Sequence, residues 1–261
     1  ALTFAGCEYD VAQGYFPCTV GGASLNLAAF AAGHWRAPGR LQAGSTTFKT
    51  QHRPATIRAA REDPNTAWFA MTYRDTESGR IRASYQNWLA ADAPADVEVY
   101  GQPISTSQGL SALRNATGMG RHVSVFHVDS ADQIRVLQGN ISGDIVWTEN
   151  NAIPGTKTDA TPSAVSSSQG TMVFWKHTDG HIVCTEISQN GHAHYTIPNT
   201  DASSAPTAVV ADGRVWLFYL GTDTWQTSSQ HKVYYASANV GQGCQEWQNP
   251  TAFSEQLHGM T

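Results

Sequence analysis

Charge is scarce in this 261-residue chain: Asp, Glu, Lys and Arg make up 14 % of it, against roughly 25 % in an average soluble domain. The formal net charge is −5 and no Lys/Arg cluster occurs, which argues against nucleic-acid binding through phosphate neutralisation. No apolar run reaches the length of a transmembrane helix, so no membrane span is expected. A nucleophile elbow, a Walker loop and a glycine-rich dinucleotide fingerprint are all missing. His192-Ala193-His194 is an H-x-H pair, but no third ligand stands at a diagnostic spacing. An exposed polar turn after Asn190-Gly191 is the simpler reading, and neither a metal nor a cofactor is expected. Cysteine is limited to Cys7, Cys18, Cys184 and Cys244, with no C-x-x-C pair.

What the chain does have is a repeat of about 50 residues. Four stretches open alike: Pro54-Ala55-Thr56-Ile57, Leu110-Ser111-Ala112-Leu113, Pro162-Ser163-Ala164-Val165 and Pro206-Thr207-Ala208-Val209. Each is followed by a turn and an apolar-aromatic run: Ala67 to Met71, His122 to Phe126, Met172 to Trp175 and Val215 to Tyr219. A third short strand begins at Arg80, Gln133, His181 and His231, and fourth strands are expected at Val97 to Tyr100 and Asp144 to Trp147. Four antiparallel strands per unit at this period predict an all-β fold, a single β-propeller domain over residues 1–261. Residues 1–53 have the length of a further unit, so five blades are expected, or six if the termini join to close an extra sheet.

The chain begins with Ala1, which suits a mature form after signal-peptide removal. An even set of cysteines suits two disulfides in an oxidising compartment. Of three possible pairings, Cys7–Cys18 with Cys184–Cys244 is the simplest, because it closes one short loop near the N-terminus. Two sequons, Asn115-Ala116-Thr117 and Asn140-Ile141-Ser142, are acceptor sites for an N-linked glycan. Asn140 begins a turn, where a glycan can be accommodated. Together these features favour the secretory pathway or the extracellular space, while oligomeric state is not legible.

In a propeller the innermost strands line the axis, and their equivalent positions carry Arg58, Arg114, Ser166 and Val210. No carboxylate occupies the middle of these strands, which counts against a glycosidase with two carboxylates facing each other across the axis. The second-strand columns align as Met71, Phe126, Trp175 and Phe218, a core column, followed by residues nearing the loop on the ligand face. His127, His177, Tyr73 and Tyr219 are therefore candidates to rim a pocket, set against their reading as ordinary amphipathic residues at a sheet end. His52 enters the same face from the loop before an inner strand, and Trp225 from the loop after the last second strand. A Trp there is either a stacking surface or a plug for a blade edge.

Gln133-Ile134-Arg135-Val136-Leu137-Gln138 and Gly79-Arg80-Ile81-Arg82-Ala83-Ser84-Tyr85-Gln86 resemble the blades of fungal fucose-specific lectins. In those lectins an I-R-V-Y-Y-Q strand precedes an I-x-E strand and a Trp. That family repeats its sugar-binding Arg, Glu and Trp in nearly every blade. Here Arg82 and Arg135 are followed by Val183 and Val233 at the matching positions of the later units, so the repeated site is eroded. An eroded propeller with one asymmetric pocket and sequons also resembles the glycosylated fungal hetero-Diels–Alderases of tropolonic, eupenifeldin-type sesquiterpene biosynthesis. That resemblance implies a cofactor-independent [4+2] cycloaddition between an o-quinone methide and a humulene-type alkene. Catalysis would come from holding small apolar and aromatic partners in near-attack geometry and polarising the heterodiene oxygen. On this reading His127, His177, Tyr73, Arg58 and Arg114 are the candidate catalytic donors, and His52, Tyr219 and Trp225 line the substrates. The alternative is a carbohydrate-binding propeller lectin.

Overall fold

The structure, a computed structural model, describes residues 50–58, 69–86, 93–114, 122–142, 144–167, 170–188, 191–224 and 231–253, and six two-residue strands between 26 and 47. Four sheets of four antiparallel strands form the body. Blade 1 comprises Ala55–Arg58, Phe69–Arg74, Ile81–Gln86 and Ala95–Asp96. Blade 2 comprises Ser111–Arg114, His122–Val128, Ile134–Ser142 and Asp144–Ala152. Blade 3 comprises Ser163–Ser166, Thr171–Lys176, Ile182–Ser188 and Gly191–Thr196. Blade 4 comprises Thr207–Ala211, Arg214–Thr224, His231–Asn239 and Thr251–Ala252. No α-helix occurs among the described residues; Val240–Gln242 form a single 3-10 turn.

The all-β propeller-like fold thus agrees with the repeat, while four four-stranded blades stand among the described residues where five were expected. Of the segment expected as a fifth blade, the described parts are three short pairings: Asn26–Leu27 with Gly39–Arg40, Phe30–Ala31 with His34–Trp35, and Gln42–Ala43 with Thr46–Thr47. The expected strand Val97 to Tyr100 is also corrected. Blade 1 closes with Ala95–Asp96 against Ile81–Gln86, and the chain then folds back as its own hairpin, Glu98–Val99 with Gln102–Pro103. Tyr100 and Gly101 turn that hairpin with φ of 53° and 74°. Positive φ at both central residues matches the right-handed twist of the flanking strands.

Side chains alternate across each strand, so blades 2 and 3 bury both faces against their neighbours. Three apolar clusters result, one per seam. Ile57, Ala70 and Ala83 meet Val123, Val125 and Leu137 between blades 1 and 2. Phe126 and Ile134 meet Val173, Trp175 and Val183 between blades 2 and 3. Met172, Phe174 and Cys184 meet Leu217 and Tyr219 between blades 3 and 4. At about 25 cal/mol per Å² of apolar surface, these seams are the main stabilising term.

Hydroxyls organise the inner ends. Ser111 Oγ accepts the Ala164 amide, and Ser163 Oγ accepts the Ala208 amide, each at 2.9 Å. Thr207 is next in that series, and its Oγ1 lies 3.4 Å from Arg53 Nη1. Five residues before each of the first three inner strands, Thr50, Thr106 and Thr158 fold the entering loop onto their own hydroxyls. The three loops therefore deliver their strands in one phase.

Candidate functional site

The strand registers reset the columns at the hairpin end of the blades. Tyr73 pairs with Arg82, His127 with Arg135, Trp175 with Val183 and Tyr219 with Tyr234. The column expected as Met71, Phe126, Trp175 and Phe218 is therefore out of phase in blades 1 and 3. In blade 4 the residue matching Arg82 is Tyr234 rather than Val233. The irregularity between Leu220 and Thr224 lengthens that hairpin and moves the third strand by one position.

Tyr73, His127, Trp175 and Tyr219 share this row, and all are at most 4 % exposed. They lie inside the sheet faces rather than around an open cleft. His127 points into the seam with blade 1, on the face that carries Val125. Its Nε2 is 2.9 Å from Asn150 Oδ1; an amide oxygen only accepts, so Nε2 carries the proton. Arg135 donates to the Asn150 carbonyl at 2.6 Å and pairs with Asp129 at 3.4 Å. Burial, partly offset by the Asn150 contact, pushes the imidazole down to about 4, so it is neutral at pH 7. Burial likewise pushes the Tyr73 phenol up to about 12, against the opposing pull of Arg82. Arg82 is held by Asp96 at 3.0 Å, and Arg80 by the same carboxylate at 2.6 Å.

The other expected residues are dispersed. Tyr219 stacks on Tyr234 at 5.6 Å, and burial raises its pKa. The Tyr234 hydroxyl donates to Asp223, which also pairs with Lys232. His177 sits in the next hairpin, half-buried, 2.8 Å from Asp179. His52 is half-buried, and its pKa is lowered by burial and then by Arg74. Arg58 and Arg114 end their inner strands opposite Phe69 and Val123. Each is four strand positions, roughly 13 Å, from Tyr73 or His127. The structure thus separates the arginines from the histidine and tyrosine expected to act with them. Asn140 is exposed but stands within the strand Ile134–Ser142, opposite His122 and Val146, rather than at the start of a turn; Trp225, Asn115, Cys7 and Cys18 lie outside the described residues.

The H-x-H pair is exposed as expected but lies in the strand Gly191–Thr196 rather than in a turn, and its His194 is held by neighbouring groups. Trp175 Nε1 donates to Thr185 Oγ1 at 2.8 Å, and that hydroxyl lies 2.8 Å from His194 Nδ1. His194 Nε2 is 2.9 Å from the Pro154 carbonyl. A carbonyl only accepts, so His194 carries its proton on Nε2, and Thr185 donates to Nδ1. Both ring nitrogens are engaged, and His194 ties blade 3 to the loop leaving blade 2.

A polar recess lies at the opposite end of the blades, on the seam between blades 3 and 4. It has a volume of about 300 Å³ and is lined by Glu186, Gly241, Gln242, Gly243, Gln245 and Glu246. Glu186 projects from the third strand of blade 3, on the same face as Cys184. The other residues belong to the loop after the third strand of blade 4. Cys184 and Cys244 are joined by a disulfide, the pairing expected as simplest. Gln242 donates to the Glu246 carboxylate, and Gln245 Nε2 is 3.5 Å from the Tyr195 hydroxyl. Trp247 braces the loop from behind, donating to the Cys244 carbonyl at 3.0 Å and meeting Phe174 edge-on at 5.5 Å. Two carboxylates and two primary amides offer acceptors and donors for a ligand rich in hydroxyls. Repeat reading missed these residues because they lie between the strands rather than in the repeating apolar columns; Cys244 alone signalled them.

No protein-family model matches the chain, and no curated protein matches it in sequence. Among solved structures it is similar to the BP39L lectin from Burkholderia pseudomallei, at 18 % identity and a TM-score of 0.64, over 88 % of this chain and 63 % of the lectin. It is similar to AofleA from Arthrobotrys oligospora at 10 % identity and a TM-score of 0.56, over 88 % and 64 %. A third similarity is to the SapL1 lectin in complex with alpha methyl fucoside, at 14 % identity and a TM-score of 0.54, over 88 % and 74 %. The chain spans less than two thirds of the first two proteins. At these identities the likeness is one of fold. Among the described residues no helix is long and apolar enough to cross a membrane.

Proposed function

We propose that this chain is a carbohydrate-binding propeller, and that it holds its sugar in the recess between blades 3 and 4. The recess carries the reading. Its volume of about 300 Å³ stands at the lower end of the roughly 300–1,000 Å³ of small-molecule sites, a size for one or two sugar rings. Glu186 and Glu246 can accept hydroxyl protons in charge-assisted hydrogen bonds, while Gln242 and Gln245 can both donate and accept. Tyr195 stands at the rim beside Gln245. Two of the structurally similar proteins are lectins, one of them in complex with a fucoside, which supports the same class of ligand.

The cycloaddition reading fits less well. It asks for two apolar partners against aromatic walls, with His and Tyr donors at the reacting atoms. The recess presents carboxylates and amides instead, and Tyr73, His127 and Tyr219 are packed inside the blades. The repeated-site lectin pattern is broken among the described blades, since the row of Arg82 and Arg135 continues as Val183 and Tyr234. One asymmetric site is therefore the expected number. A printed glycan array, with alpha methyl fucoside among the probes, tests the reading. Saturable binding of a discrete set of sugars supports it, and an array with no bound sugar overturns it.

A further inference from the structure

The loop that forms one wall of the recess is joined to blade 3 by one covalent bond. Its backbone is anchored at its two ends, where Val240 donates to the Gly213 carbonyl and Gln248 to the Ser237 carbonyl, both at 2.9 Å. Between those anchors, the polar contacts of residues 241–247 are mostly internal. Gln245 N donates to the Gln242 carbonyl, Gln242 to Glu246, and Trp247 to the Cys244 carbonyl. The covalent link to blade 3 is Cys184–Cys244, with the 3.5 Å approach of Gln245 to Tyr195 and the edge-on contact of Trp247 with Phe174 beside it. Cys184 and Glu186 are two residues apart on one strand face, and Cys244 sits among the lining residues 241–246.

Gly243 shows how closely the halves are pressed together. Its φ is +62°, and a Cβ there would stand 2.6 Å from a Glu186 carboxylate oxygen. A side chain is excluded both by the backbone conformation and by the carboxylate lying on the loop. The two sulfurs are buried, with Cys184 at 0 % and Cys244 at 2 % exposure. The bond therefore lies behind the recess rather than in its mouth.

We propose that the Cys184–Cys244 disulfide is the positioning device of this recess, setting Glu186 against residues 242–246 and making ligand binding conditional on the oxidised state. A dithiol reductant supplies two electrons and two protons: the S–S bond breaks, Cys184 and Cys244 become thiols, and the reductant closes to its own disulfide. Because the sulfurs are buried, reduction waits on local opening of the loop. Once the bond is broken, residues 241–247 keep their internal hydrogen bonds but lose their covalent place against Glu186. Sugar binding then falls while the sheets persist. The binding half of this inference rests on the recess being the sugar site; the ordering half does not.

Two measurements test it on the full chain, comparing the oxidised protein with the dithiothreitol-reduced protein and the Cys184→Ser/Cys244→Ser variant. The first is hydrogen exchange. Residues 240–248 should exchange at least tenfold faster without the bond, while Thr171–Lys176 keeps its protection. Unchanged exchange in the loop, or equal loss of protection in that strand, overturns the proposal. Should the double variant fail to fold, the reduced native protein decides the same comparison. The second is the glycan array, on which the oxidised protein's signal should fall at least tenfold after reduction. Equal binding in both states also overturns the proposal. If the oxidised protein binds no sugar, the site reading of the preceding subsection fails and hydrogen exchange alone decides whether the bond orders the loop.

Discussion

Replacing His127 by Gln should remove an acid sensitivity from the seam between blades 1 and 2. The imidazole is held near 4 in the folded chain against 6.5 for an unperturbed histidine, because burial disfavours its charged form. Between these values the unfolded chain binds a proton that the folded chain refuses, so stability falls as pH drops. The contribution is fully present above about pH 6.5 and is lost progressively down to about pH 4. The fall from 6.5 to about 4, at about 1.4 kcal/mol per tenfold change in proton affinity, corresponds to roughly 3 kcal/mol, a large part of the ~5–15 kcal/mol that holds a typical domain together. Gln keeps a donor for Asn150 but does not titrate. The assay is urea unfolding of the native chain and His127→Gln at intervals from pH 7.5 to pH 4. The carboxylates held low by hydrogen bonds and ion pairs, such as Asp96 beside Arg80 and Arg82, titrate in both proteins and cancel. The gap between the two stability curves should change by roughly 3 kcal/mol across the range, with the native chain the more acid-sensitive. Parallel curves would refute the assignment of a buried, neutral His127.

Removing the Cys184–Cys244 bond, whose sequence separation is 60, should cost about 4 kcal/mol through the freed unfolded chain. Calorimetry should record a fall in Tm of roughly 10 °C, and an unchanged Tm would contradict a native bond. Thr185→Val should cost about 2 kcal/mol or more, because it strands the buried Trp175 N–H and the His194 Nδ1 acceptor together. Thr185→Ser keeps the relay and should be nearly neutral, so chemical unfolding that finds both variants equal would dismiss the relay.

The blades were legible in the sequence because their apolar columns repeat. Leu113, Val165 and Val209 stand at one position of the inner strand, and the structure keeps that alignment. Phase within the second and third strands was harder to read, because alternating apolar residues allow a slip of one position without an obvious penalty in composition. Met71 and Trp175 were each read one place out, and the irregularity after Leu220 shifted Val233 for Tyr234. A polar signal was available and would have helped: Thr50, Thr106 and Thr158 each stand five residues before an inner strand and mark its start. Burial was the other gap. His127 and Tyr73 have the residue types of catalysis, yet each is buried in its blade. The recess escaped because Gln242, Gln245 and Glu246 lie in a loop outside the repeat, brought to Glu186 by a disulfide across 60 residues.

The account centres on sugar binding at the seam of blades 3 and 4, and isothermal titration of the best array hit into the native chain and Glu186→Ala tests it most directly. The native chain should bind at one site per chain, and Glu186→Ala should weaken binding at least tenfold while its Tm stays close to native. Binding at several sites, or binding that Glu186→Ala leaves unchanged, would contradict the placement of the sugar in this recess.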